Sequence, residues 1–179
     1  MLTAETAWRL FIERGYDNVT VADICAAAEI APRTFHRYFP TKNDVILEPV
    51  RFMTTLVSEH VDSSPADLPD AAVLRSAMHA LGVFVVEHRQ WLGALRTVIQ
   101  ESHHLRATHQ GVPPEREQEL SAKLAARHGE SGGPGWRRRL LVAYAVAAFR
   151  IWHDDYLRDK ISGDPLARLD EMVATIEQE

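Results

Sequence analysis

Residues 6–47 read TAWRLFIERGYDNVTVADICAAAEIAPRTFHRYFPTKNDVIL, and the spacing of apolar positions in this stretch decides the fold. Trp8, Phe11, Ile12 and Tyr16 recur at helical intervals, and Gly15 stands where a helix favours a left-handed stop. Thr20 precedes Val21, Ile24, Cys25 and Ala28, an i, i+3, i+4, i+7 set, with Asp23 at the position of a capping box. A short turn, Glu29–Ile30–Ala31, leads to PRTFHRYF. Pro32 suits the first helical position, where no amide donor is needed. Phe35 and Phe39 share one face of this segment; Arg33, His36 and Arg37 share the other, with Thr34 and Tyr38 on the flank. Thr41 is placed to cap a further helix, with Asp44 at the box position and Lys42 in the first turn.

Two short helices, a tight turn and a second helix with a basic face form a helix-turn-helix. A helix of that size enters a major groove, where arginine bonds guanine O6 and N7 and histidine reaches a base acceptor. Thr20, Thr34, Tyr38 and Lys42 lie at the margins, where hydroxyls, an ammonium and helix N-termini meet phosphates. The overall net charge of −5 opposes a nucleic-acid partner, yet Ala31–Asn43 holds Arg33, Arg37 and Lys42 and no acid. Salt screens charges more than about 8–10 Å away, so the local balance governs contact.

Outward from this unit, strand signals are almost absent and helical spacing continues to the end. Helices are expected at 2–14, 21–28, 32–39, 42–61, 71–88, 90–107, 114–128, 135–158 and 165–178, with loops at 62–70, 109–114, 130–135 and 162–164. The chain is therefore read as all-α with about nine helices. Residues 1–45 form a DNA-binding domain and 46–179 a helical body, joined by the helix that starts at Lys42. Pro49 inside that helix removes a backbone donor, which predicts a kink or break near Leu47–Glu48. The longest run free of Asp, Glu, Lys and Arg is Ser76–Val86, 11 residues, too short to span a bilayer. Glu5, Arg9 and Glu13 interrupt any apolar leader, so a cytoplasmic location and no membrane partner are expected. The single cysteine, Cys25, excludes an internal disulfide and sits on a packing face.

The runs LFIERGYDNVTVADICAAA and RTFHRYFPTKNDV, at their mutual spacing, resemble the N-terminal domain of the TetR family of transcriptional regulators. The resemblance covers about a quarter of the chain. It implies a recognition helix at Pro32–Phe39, base contacts from Arg33, His36 and Pro32 or Arg37, and phosphate contacts from Thr20, Thr34, Tyr38 and Lys42. It further implies a DNA-binding regulator, by family habit a repressor, that binds a palindromic double-stranded operator as a homodimer and is released by a small apolar effector. Three departures stand out. Glu29 occupies the turn where the family often has Gly, Ala31 replaces the usual Ser or Thr cap, and no basic arm precedes the first helix.

The body resembles the family in architecture, and residues 136–158 resemble a branch binding acyl-CoA-like ligands. Leu140–Trp152 carries one charge, Arg150, in 13 residues. With Leu166, Leu169, Met172, Val173 and Ile176 it is expected to build a four-helix dimer interface. Candidate ligand-lining residues are Met53, Leu56, Met78, Phe84, Trp91, Leu95, Val98, His103, Tyr144, Phe149 and Trp152, with Arg96 and Arg150 as further polar candidates. Three arginines at Arg137–Arg139 open a helix against its dipole, as a solvated rim or as an anion-attracting pocket mouth.

No G-x-S-x-G, phosphate loop or H-E-x-x-H is present, so no enzyme activity and no cofactor are expected. Among the nine histidines, Glu101 with His103, His104 and His109 is the densest metal-like cluster. His103 and His104 are adjacent and face different sides of a helix, which argues against a shared ion. The alternative to a regulator is a ligand carrier or small helical enzyme on the same fold without DNA binding.

Overall fold

The computed structural model describes residues 2–108, 114–129 and 135–175. Among these residues it consists of ten α-helices and a single 3-10 turn: α1 Leu2–Arg14, the turn Tyr16–Asn18, α2 Val21–Ala27, α3 Pro32–Tyr38, α4 Lys42–Ser63, α5 Asp70–Glu87, α6 Arg89–Glu101, α7 His103–Thr108, α8 Pro114–Arg127, α9 Trp136–Leu157 and α10 Pro165–Ala174. The loops expected at 109–114 and 130–135 fall mostly outside the described residues, as do His109 and Ile176.

The segment expected as one helix over 90–107 is two. Ser102 ends the first and caps the second, its hydroxyl accepting from the Leu105 amide at 3.1 Å. A serine hydroxyl competes with the helical ladder for nearby amides, and here it wins. The break expected at Leu47–Glu48 is absent, because α4 runs unbroken through Pro49. The ring removes one amide from a 22-residue helix and is itself buried.

Two compact units are distinguished. The first comprises Met1–Phe52 with Gln90–Gln110; the second comprises Met53–Arg89 with Gly111–Glu179. In the first, Ala7, Trp8, Leu10, Phe11, Val19, Ile24, Phe35, Val45 and Ile46 are buried together with Leu92, Leu95, Val98 and Leu105. Trp8 meets Phe11 and Trp91 edge-on, each at 5.9 Å between centroids, an arrangement that the ring quadrupoles favour. Ser102 also donates to Asp17 at 2.8 Å, tying the segment after α6 to the 3-10 turn.

In the second unit α5, α9 and α10 pack on one another and α8 packs on α9. Gly82 lets α10 seat directly on α5, since a methyl there would stand 2.5 Å from Leu169 Cδ2. Leu169 and Val173 are buried in this packing, so these two belong to the core of one chain and not to an interface with a second. Asp70, at the start of α5, gathers three basic side chains. Arg138 Nε lies at 2.6 Å, His128 Nε2 at 2.9 Å and Arg127 Nη1 at 3.4 Å. Arg127 also donates to the Pro65 carbonyl. Arg138, one of the three arginines that open α9, is thus tied internally.

The turn between α2 and α3 resolves the departure at Glu29. The Ile30 amide donates to the Cys25 carbonyl at 3.0 Å and the Glu29 amide to Ala26 at 3.4 Å, the paired bonds of a Schellman motif. Glu29 sits at its left-handed position with φ 54°. An L-residue there costs roughly 1–2 kcal/mol, partly offset by the greater unfolded-state freedom of glycine. Glu29→Gly is therefore expected to stabilise the protein by about 1 kcal/mol in urea unfolding. A destabilised variant would contradict this account of the turn.

Candidate nucleic-acid interface

The N-terminal site begins with two caps. The Thr20 hydroxyl accepts from the Asp23 amide at 3.1 Å while the Thr20 amide donates to the Asp23 carboxylate at 2.8 Å, a complete capping box. These bonds hold the Asp23 carboxyl below the usual carboxylate range, the Thr20 side chain contributing most. At the start of α4 the Thr41 hydroxyl and amide both donate to Asp44, at 2.7 and 2.9 Å. Asp44 also pairs with Arg51, and its carboxyl is likewise lowered, chiefly by the Thr41 hydroxyl.

Ala31 gives α3 no side-chain cap, and Pro32 opens the helix without needing one. Phe35 is wholly buried and Phe39 nearly so, their rings 5.6 Å apart. This anchoring leaves Pro32, Arg33, His36, Arg37 and Tyr38 exposed, with Thr34 partly so. Arg33, His36 and Arg37 therefore share one solvent-facing side of a seven-residue helix, with Tyr38 on its flank. Arg33 makes no hydrogen bond or ion pair among the described residues, so its five donors face solvent. Arg37 donates to the Tyr38 hydroxyl at 2.8 Å and lies 4.7 Å above its ring, which holds both side chains in one orientation. His36 Nδ1 lies 3.1 Å from the Pro40 carbonyl, and its ring meets Phe35 edge-on at 5.4 Å.

Two residues of the expected phosphate set are turned to internal work. Lys42 Nζ donates to the Tyr16 and Val19 carbonyls at 2.8 and 2.7 Å and stands 4.0 Å over the Tyr16 ring. Burial lowers its pKa, opposed by the nearby charge of Asp17. The Tyr16 hydroxyl is pushed up to about 12 by burial first, then by Asp17 and Asp44. Lys42 thus clamps α4 to the turn after α1 and keeps one donor in reserve. Thr20 likewise spends its hydroxyl on Asp23. Helical periodicity places both at the margin of α3, but it gives no signal of the Tyr16 and Val19 carbonyls, the partners Lys42 finds at the 3-10 turn.

The expected ligand-lining residues are distributed over both units. Trp91, Leu95, Val98 and His103 belong to the first unit; Met53, Leu56, Met78, Phe84, Tyr144, Phe149 and Trp152 belong to the second. Leu95, Val98, Met78 and Trp152 are buried, whereas His103 and Arg150 are exposed. Phe149 and Trp152 touch, at 5.6 Å, and the Trp152 indole donates to the Pro165 carbonyl at 2.7 Å. Trp152 also lines an open concavity of about 710 Å³ with Ile151, Asp155, Ile161, Arg168 and Met172 among others. Its loop residues at 160–164 carry no helical spacing and so gave no sequence signal. Tyr144 lies on the exposed side of α9 with Trp136, Leu140 and Ile151. No group of three or more potential metal ligands converges among the described residues, and no described helix is long and apolar enough to cross a membrane.

Comparison with known proteins agrees with this geometry. Residues 4–48 match the family model described as bacterial regulatory proteins, tetR family. The HTH-type transcriptional regulator TcmR of Streptomyces glaucescens is 28% identical over 155 residues, covering 81% of this chain and 67% of that protein. Among solved structures, NalD of Pseudomonas aeruginosa, the secondary repressor of the MexAB-OprM multidrug efflux pump, superposes with a TM-score of 0.66 at 17% identity, over 99% of this chain and 93% of the other. FadR of Thermus thermophilus, a TetR-family repressor solved with lauroyl-CoA, gives 0.63 at 19% identity over 98% and 92%.

Proposed function

We propose that this chain, whose residues 4–48 match the tetR family model, is a TetR-family transcriptional regulator that binds a palindromic operator as a homodimer and is released by a small apolar effector. The observation that carries the DNA contact is the exposed face of α3, with Arg33, His36 and Arg37 outward and Phe35 and Phe39 buried behind it. Pro32 and Thr34 flank the base-reading side. Tyr38, by orienting Arg37, belongs with the backbone contacts; Lys42 contributes through its one spare ammonium donor, and Thr20, whose hydroxyl and amide are both given to Asp23, contributes by fixing the start of α2.

A dimer is supported by α9. Trp136, Leu140, Tyr144 and Ile151 follow one another at near-helical intervals on its solvent side and are 68%, 62%, 38% and 52% exposed. A stripe of large apolar side chains on one helix marks a surface that association would cover. An apolar effector is supported by the likeness to FadR with its lauroyl-CoA.

An electrophoretic shift with duplexes from the gene's own upstream region tests the DNA contact. Arg33→Ala should weaken binding by about 1–3 kcal/mol, roughly 5–150-fold, and relax preference at one base step. Retention of full affinity and preference by this variant would reject α3 as the reading helix and favour a carrier role.

A further inference from the structure

We infer that His36 reads an exocyclic amine, the N6 group of adenine or the N4 group of cytosine, and not a guanine acceptor. The inference rests on the DNA-binding reading above and adds the kind of base under one residue.

It follows from what surrounds the ring. His36 Nδ1 lies 3.1 Å from the Pro40 carbonyl oxygen. A carbonyl only accepts, and proline has no amide to offer, so the bond exists only if Nδ1 carries the proton. In the neutral imidazole the other nitrogen, Nε2, is then bare and accepts. The Phe35 ring, edge-on at 5.4 Å, and the Pro40 bond together fix the plane of the imidazole, while the side chain stays exposed on the reading face. In the major groove only adenine N6 and cytosine N4 donate; guanine O6 and N7, adenine N7 and thymine O4 accept. A fixed acceptor on the protein therefore selects the two amine-bearing bases. Arg33 and Arg37, which can only donate, select the opposite set. The helix thus presents donors and an acceptor side by side, and base-edge acceptors alone cannot satisfy all three side chains.

Two measurements test this on the full chain. Long-range proton–nitrogen NMR of the free protein at pH 8 should show His36 protonated on Nδ1 and bare on Nε2. A proton on Nε2 would overturn the proposal without touching DNA binding. The second uses bound duplexes and the variant His36→Ala, whose exposed position spares the fold. The base pair whose preference is lost in the variant is resynthesised without its amine, with purine for adenine or 2-pyrimidinone for cytosine. Wild type should bind this duplex about 3–10-fold more weakly than the parent, and His36→Ala should bind the two alike, which cancels any change in duplex stability. Sensitivity to 7-deazaguanine at that pair, with none to amine removal, would overturn the assignment. Absence of binding to every duplex would overturn the DNA-binding reading beneath it.

Discussion

Phe35→Ala is expected to lower stability by about 3–5 kcal/mol and to abolish duplex binding. The ring is fully buried, 5.6 Å from Phe39 and edge-on to His36. Removing it leaves a cavity under a seven-residue helix that has no side-chain cap. Isolated helices shorter than about 12–15 residues are marginal in water, so α3 has little besides this packing to hold it. Urea unfolding and an electrophoretic shift measure the two effects separately. A variant that still retards DNA at the wild-type concentration would show that the basic face is held by something other than Phe35. Phe35→Leu, which refills most of the volume, should recover a large part of both losses.

Asp70→Ala is expected to cost about 3–5 kcal/mol as well, for an electrostatic reason. The Asp70, Arg127 and Arg138 side chains are only 14%, 8% and 14% exposed. Truncating the carboxylate strands two nearly buried guanidiniums that cannot shed their charge. His128 is less affected, since its ring is a third exposed to water. Equilibrium unfolding at low and at high salt checks the claim. A loss under about 1 kcal/mol, the size of a surface pair, would mean that water reaches the cluster and replaces the carboxylate.

Much of this was legible from residues alone, and the remainder was not for definable reasons. Helix positions follow from apolar spacing and capping chemistry, which are local; the Thr20–Asp23 box and the burial of Phe35 and Phe39 are instances. Division of the 90–107 segment at Ser102 was missed because a serine inside a helical pattern signals nothing until Asp17 and the Leu105 amide are brought to it. The role of Lys42 depended on carbonyls more than twenty residues away. Large apolar side chains mark a core wherever it lies, and periodicity cannot tell which of two units holds them. Trp91 faces Trp8, while Trp152 faces α10's first residue. Leu169 was assigned to an interface because its spacing shows an apolar face but not that Gly82 makes room for it.

The company kept by Trp8 bears on how such regulators can be recombined. Its neighbours include Trp91, and the buried set around it draws on Leu92, Leu95, Val98 and Leu105, all encoded well downstream of the helix-turn-helix. A chimera that grafts only the first fifty or so residues onto a foreign carrier would present a wet indole and a half-built interior. The portable cassette is discontinuous: Met1–Phe52 must travel with Gln90–Gln110.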